Sequence, residues 1–265
     1  MSPAGAGAPE PDFGVEFACA SDIGGQEEQQ DRVAAFESKD ALLLVLADGL
    51  GGHEGGAMAA QAVVDVAQHL FADGEEDCPE RLFERIAAVS NRRILEKAKK
   101  GRWHSASTCV LLHLTSSRAS WAHIGDSRLY VFDNGKLASR TLDHSVVELL
   151  RLKGKINAEE MKFHPDRSRL LEALGNSAKP QMEIGGKDAA PEDSFLLCSD
   201  GLWENISDFD LERAMGAVNL QSGLDRLLRR AKSNGGVDCD NISVAAARYE
   251  RYARSSISPW RMIFQ

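Results

Sequence analysis

Three apolar runs in the middle of the chain, TCVLLHL (108–114), ASWAHIG (119–125) and RLYVFDNGKL (128–137), follow one another with four and then two residues between them. Parallel strands need a crossover of about a dozen residues or more, usually a helix. No crossover of that size fits here, which favours antiparallel sheets joined by short hairpins over a doubly wound parallel sheet. Within the third run, Asp133-Asn134-Gly135 marks a tight hairpin, because Asn-Gly suits the positive φ angles of a two-residue turn.

The flanking sequence supplies further strands and the helices. Val15, Phe17 and Cys19 alternate with small or polar neighbours, as a half-buried strand does, and a second short strand fits 33–36. ALLLVLA (41–47) is continuously apolar and is expected to be buried on both faces. Ala59, Val63, Val66 and Leu70 recur at helical spacing, as do Leu82, Ile86 and Val89 after Pro79. Residues 145–175 turn helical and more charged, interrupted by Gly154 and Pro165. SFLLCSDG (194–201) reads as a strand, Ser207 to Asp210 as a capping box opening a helix, 224–231 as helical, and NISVAAARY (241–249) as the last strand. An α+β fold with antiparallel sheets and helices on their outer faces is expected, in one domain over 13–250. A disordered Ala/Gly/Pro-rich tail (1–12) precedes it and an appendage (251–265) follows.

The 265 residues carry a formal charge of −9, which argues against a nucleic-acid partner and fits a chain that holds cations. No apolar run reaches membrane-spanning length, and MSPAGAGAPEPD lacks the basic-then-apolar order of a signal peptide. Cys19, Cys78, Cys109, Cys198 and Cys239 are scattered and odd in number, which disfavours a disulfide framework or a zinc cluster. A cytoplasmic monomer with no membrane partner is expected.

Aspartates recur at strand ends: Asp48 after LVLA, Asp200 after LLCS, Asp126 after AHIG, Asp240 before the last strand and Asp31 before an early one. Any one of them is explained as a turn residue. Five at the ends of apolar strands are harder to dismiss, because carboxylates brought together without a cation repel one another. Hard oxygen donors without nearby thiolate or imidazole suit Mg²⁺ or Mn²⁺. The stretch LVLADGLGGHEGG (44–56) then makes sense: Asp48 offers a carboxylate, Gly49 a carbonyl, and the remaining glycines leave room for metal, water and phosphate. Two such ions bridged by one aspartate form a hydrolytic centre.

The motifs SDIGGQEEQQD (21–31), ADGLGGHEGG (47–56), SAST (105–108), AHIGDSRLY (122–130), LDHS (142–145), CSDGLWE (198–204) and DCDNIS (238–243) follow one another in a recognisable order. With them the chain resembles the metal-dependent protein Ser/Thr phosphatases of the protein phosphatase 2C type, in their bacterial form. The resemblance covers about Phe13 to Tyr249. It implies a four-layer αββα sandwich with two Mg²⁺ or Mn²⁺ ions at one edge of the sheets. By the same resemblance Asp48 bridges both ions, the Gly49 carbonyl binds one, and Asp200 and Asp240 bind the other. Asp31 holds water beside the metals, and Asp126 with Asp200 binds a third ion. Phosphoprotein substrates and a cognate Ser/Thr kinase are the implied partners.

Two positions depart from the family pattern. Where the family has a phosphate-gripping arginine five residues before its first aspartate, this chain has Gln26, and where it has a glutamate just before that aspartate, Gln30. Either phosphate anchoring is weaker, because an amide lacks the charged two-pronged grip of arginine, or another cation such as Arg169 substitutes. His53 is a candidate general acid for the leaving serine or threonine oxygen, or a residue that orders the glycine loop. His144 reads as structural, and 151–176 falls where the family carries a mobile flap. Beside the phosphatase reading stands a phosphatase-like binding module with little catalysis, for which Gln26 and Gln30 speak.

Overall fold

The computed structural model describes residues 14–51, 53–74, 78–101 and 104–249, the side chains of residues 53 and 54 excepted. The expected tail (1–12) and appendage (251–265) lie outside the described residues. The chain begins with strands β1 (Val15–Asp22), β2 (Arg32–Glu37), β3 (Leu42–Ala47) and the short β4 (Gly49–Leu50), then helices α1 (His53–Asp73) and α2 (Pro79–Gly101). The short β5 (Ala106–Ser107) is followed by β6 (Cys109–Leu114), β7 (Arg118–Ile124), β8 (Arg128–Asp133) and β9 (Lys136–Arg140). Two short helices, α3 (Val146–Leu152) and α4 (Ala158–Phe163), precede β10 (Glu183–Asp188) and β11 (Ser194–Cys198). The C-terminal part holds α5 (Asp200–Trp203), α6 (Asp208–Met215), α7 (Leu220–Gly235) and β12 (Ile242–Tyr249).

The strands form two five-stranded sheets, ordered β1-β12-β11-β8-β9 and β10-β7-β6-β3-β2, with every neighbouring pair antiparallel. They pack face to face. Leu42, Leu44 and Leu46 of β3 meet Phe195 and Leu197 of β11 and Ala245 and Ala247 of β12 in the inter-sheet core. On the opposite face of β3, Leu43 and Val45 pack against Ala59, Val63 and Val66 of α1 and Phe83 and Ile86 of α2. On the far side, α6 and α7 cover the other sheet through Leu211, Leu224 and Leu227. The result is the four-layer αββα sandwich, and it explains the unbroken apolar run of β3: alternate side chains point into different cores, so neither face sees water. A fully buried leucine contributes about 1.5–3 kcal/mol on each face.

Two local features follow from sequence as expected. Asn134 (φ 49°) and Gly135 (φ 73°) form the two-residue turn between β8 and β9. Ser207 caps α6, its side chain accepting from Asp210 N while the Asp210 carboxylate accepts from Ser207 N. Two features differ. β7 and β8 do not form a hairpin: Gly125, Asp126 and Ser127 carry the chain from one sheet to the other. β10 has no sequence signature, since Gly185 and Gly186 break its pattern; it pairs along β7, and the Trp121 ring of β7 lies over Gly185, where a Cβ would come within 2.4 Å of Nε1. Among the described residues no helix is long and apolar enough to cross a membrane.

Candidate functional site

Alternating strand direction gathers the five aspartates. β3 and β7 both run antiparallel to β6, so their C-terminal ends, carrying Asp48 and Asp126, share one edge; the start of β2, after Asp31, faces the end of β3. The link from β7 to β8 reaches the second sheet at that same edge. There the end of β11, before Asp200, and the start of β12, after Asp240, lie beside the start of β8. A cavity of about 570 Å³ opens at this edge, lined by Gln26, Gln30, Asp48, Gly49, Asp200 and Asp240 among others.

Each carboxylate is held by neighbours that the strand ends supply. Asp48 is fixed through its backbone: its N–H donates to Thr108 Oγ1 (2.9 Å), and its carbonyl accepts from Thr108 N (2.9 Å) and Ser107 Oγ (3.0 Å). Asp31, 3% exposed, accepts from Ser199 Oγ at 2.6 Å. The Asp126 carbonyl accepts from Trp203 Nε1 (2.9 Å), and that indole lies under the Arg128 guanidinium, 3.5 Å from the ring centroid. Arg128 in turn makes a two-pronged contact with Asp143 at 2.8 and 2.7 Å. Asn241 ties the last strand to the first motif, accepting from Gln30 N (2.7 Å) and donating to the Ile23 carbonyl (2.9 Å).

The electrostatics are those of crowded acids. Burial, then repulsion from Asp31, Asp200, Asp126 and Asp240, pushes Asp48 well above the usual carboxylate range. Burial, then repulsion from Asp126 and Asp240, does the same to Asp200. Burial outweighs the hydrogen bonds from Ser199 and Ser243 and raises Asp31 to about 7; burial and the neighbouring Asp143 raise Asp126 to about 7. Glu204 is also raised, by burial and by Asp240, against an opposing pull from Arg167. A set of hard oxygen donors that repel one another, three of them lining a cavity that no lysine or arginine among the described residues lines, fits divalent cations of the Mg²⁺ or Mn²⁺ kind.

Residues 20–236 match the family model for protein phosphatase 2C. The chain belongs to the protein phosphatase 2C family. It is 34% identical over 227 residues to the serine/threonine protein phosphatase PstP of Mycobacterium tuberculosis, a match that covers 83% of this chain but 42% of PstP. A putative phosphatase 2C-type protein of Streptococcus pyogenes is 31% identical and matches over 89% of this chain and 98% of its own length. The crystal structure of the PstP catalytic domain in complex with two manganese ions superposes with a TM-score of 0.77 at 28% identity, covering 89% of this chain and 98% of that one.

Against the phosphatase 2C pattern, Gln26 and Gln30 do line the cavity, together with Glu27 and Glu28. Arg169 is not in it: its guanidinium pairs with Asp166 at 3.8 Å and is 72% exposed. Arg167, from the same segment, opposes the rise of the Glu204 carboxyl. Sequence spacing gave no reason to prefer one over the other. His53 opens α1, but its side chain lies outside the described residues. The expected flap (151–176) holds the end of α3 and all of α4, joined by irregular segments.

Two glycines of the 44–56 stretch, Gly49 and Gly56, allow a close approach of backbone. A Cβ on Gly49 would come within 2.2 Å of the Gly56 carbonyl, and one on Gly56 within 2.6 Å of the Gly49 carbonyl. The space they leave is filled by backbone and, at Gly56, also by Gln30 Oε1 (2.1 Å), so β4 and the first turn of α1 press together. His144 has structural partners. Its N–H donates to the Gly125 carbonyl (2.9 Å), its Nδ1 accepts from Gly125 N (3.4 Å), and its ring lies 4.6 Å from that of His123. These two histidines and Glu183 bring ligand atoms within 4.8 Å of one another, but His123 Nε2 is engaged with the Leu142 carbonyl at 2.8 Å. Ser199, Glu204 and Asn241 are functional candidates that residue-type reasoning passed over, although all three sit inside the quoted motifs.

Proposed function

We propose that this chain hydrolyses phosphoserine and phosphothreonine in proteins by in-line attack of water at a centre of two Mg²⁺ or Mn²⁺ ions. The convergence of five mutually repelling aspartates at one edge of the sheets, three of which (Asp48, Asp200 and Asp240) line the cleft, carries the reading, together with the family and its manganese-bound relative. Asp48 would hold both ions, the Gly49 carbonyl one, and Asp200 and Asp240 the other; Asp126, the first charged neighbour raising Asp200, would hold a third with it. When bound, the ions lower the pKa of a water and offset negative charge on the phosphoryl group.

The chain's own residues do the rest. Asp31, pinned by Ser199 Oγ, offers its carboxyl to orient the attacking water. Gln26 donates a hydrogen bond to the phosphate, and His53 protonates the leaving oxygen. No covalent intermediate is expected. Burial raises the Cys109 thiol to about 12 and raises Cys198 as well, so neither supplies a thiolate nucleophile. The partners are phosphoproteins and a Ser/Thr kinase whose products this chain reverses, in a reducing cytoplasm that suits five unpaired cysteines.

Gln26 and Gln30 favour a second reading, a phosphatase-like binding module. Release of phosphate from an aryl phosphate separates the two. The enzyme reading expects Mn²⁺-dependent turnover, lost on chelation and in Asp200→Asn; no turnover in purified, Mn²⁺-loaded protein refutes it.

A further inference from the structure

We propose that the seam between α6 and α7 is a docking groove for an acidic segment of the protein substrate. The inference rests on the phosphatase reading of the cleft. A cavity of about 410 Å³ lies along the seam, with Arg213, Arg226, Arg229 and Arg230 around an apolar floor that includes Leu227, and with Asp210 as the one acidic side chain lining it. Asp210 is already engaged, accepting from Ser207 Oγ at 2.7 Å and pairing with Arg230 at 3.1 Å. Among the described residues Arg213, Arg226 and Arg229 make no ion pair; Arg213 lies 5.8 Å from the ring centroid of Phe209, which is 65% exposed.

Arg226 is three and four residues from Arg229 and Arg230, so like charges share one face of α7 and repel. In a chain with a net charge of −9 the concentration of cations in one groove stands out. Guanidinium forks match carboxylates in pairs, and the apolar floor and exposed Phe209 offer contact area to a peptide rather than to bare anions. The chain's overall acidity repels a long polyanion but acts weakly on a short acidic segment inside the groove, because salt screens charges more than about 8–10 Å away.

The groove also lies beside the cleft. Residues 204–207 alone separate the helix that begins with Asp200 from α6. The end of α7 is fixed to that connection by Asn234 Nδ2 donating to the Asn205 carbonyl (2.8 Å), and to the first motif by Lys232 pairing with Asp22 (2.7 Å). A substrate held at Arg229 and Arg230 is therefore held at the end of the seam nearest the acidic cavity.

The test compares two phosphothreonine peptides that differ only in a block of four glutamates or four glutamines, placed on either flank. Exposed ion pairs contribute about two- to threefold each, so three give roughly a tenfold lower KM for the glutamate peptide with kcat unchanged. In the doubly substituted Arg226→Gln/Arg229→Gln protein, and in wild type at high salt, that ratio falls towards one. Equal KM values for the two peptides in wild type, or a ratio that survives both substitutions, overturns the proposal. So does a DNA duplex that binds the groove more tightly than the glutamate peptide, or a concentration-dependent dimer that the double substitution abolishes while leaving the peptide ratio intact. Anisotropy of the labelled, unphosphorylated glutamate peptide reads the groove without catalysis. If neither phosphopeptide is hydrolysed yet this peptide binds wild type and not the double variant, the phosphatase reading has failed and the groove stands.

Discussion

Replacing Asp126 by asparagine should stabilise the metal-free protein, and by an amount that grows with pH. Asp126 is 9% exposed, and burial plus repulsion from Asp143 raises its carboxyl from 3.8 to about 7. Below pH 4 the carboxyl is neutral in both folded and unfolded chains and costs nothing. As pH rises from about 4 to about 7 the unfolded chain ionises first, so the folded state loses stability over that window and the loss levels off above it. At about 1.4 kcal/mol per pH decade the full loss is about 4 kcal/mol, of which about 2–3 kcal/mol accrues between pH 5 and pH 8. Asparagine has nearly the same shape, carries no charge, and leaves the bond from Trp203 Nε1 intact because that bond goes to the backbone carbonyl. Urea unfolding of wild type and Asp126→Asn in chelator at both pH values measures the gap directly. A variant more stable than wild type by about 2–3 kcal/mol more at pH 8 than at pH 5 bears the reasoning out, and added Mn²⁺ should narrow the gap because bound cations offset the same repulsion. An equal gap at the two pH values, or a less stable variant at pH 8, refutes the raised Asp126 carboxyl and the burial and repulsion held to cause it.

Three further outcomes are expected. Gln26→Arg should lower KM for a phosphopeptide several-fold, since a charged two-pronged contact replaces a neutral amide at the cavity wall; an unchanged KM rules out the missing arginine as the cause of weak anchoring. His53→Ala should cost far more kcat with an alkyl phosphate than with an aryl phosphate, and equal losses end its role as general acid. Gly24→Ala should weaken Mn²⁺ binding measured by calorimetry and destabilise the fold by about 1–3 kcal/mol, because Gly24 has φ +68° and a Cβ there would lie 2.1 Å from the Asp240 carbonyl; wild-type affinity in this variant would show that the Asp240 loop tolerates displacement.

Much of the fold was legible because strands and helices announce themselves in neighbouring residues. The apolar run of β3, the Asn134-Gly135 turn and the Ser207 capping box each depend on contacts within a few positions, and each forms where its residues indicate. β10 escaped because its glycines carry no strand pattern and its pairing partner, β7, lies about sixty residues away, and the β7–β8 crossing escaped because a three-residue link reads like a hairpin until two sheets compete for the strands. The pairing of Arg169 with Asp166 is likewise invisible in the spacing of charged residues, because it depends on the path of the backbone between them.

Donor chemistry is legible along the chain, as aspartates at the ends of apolar strands, and so is a preference for antiparallel pairing across the short links other than β7–β8. Packing of the two sheets is what brings those ends to one edge, sets Gly49 against Gly56, and lines the α6–α7 seam with four arginines. The division has a simple cause. Periodicity and turn chemistry act between near neighbours, whereas the meeting of distant side chains is set by burying both faces of two sheets at once, a condition no short stretch of the chain contains.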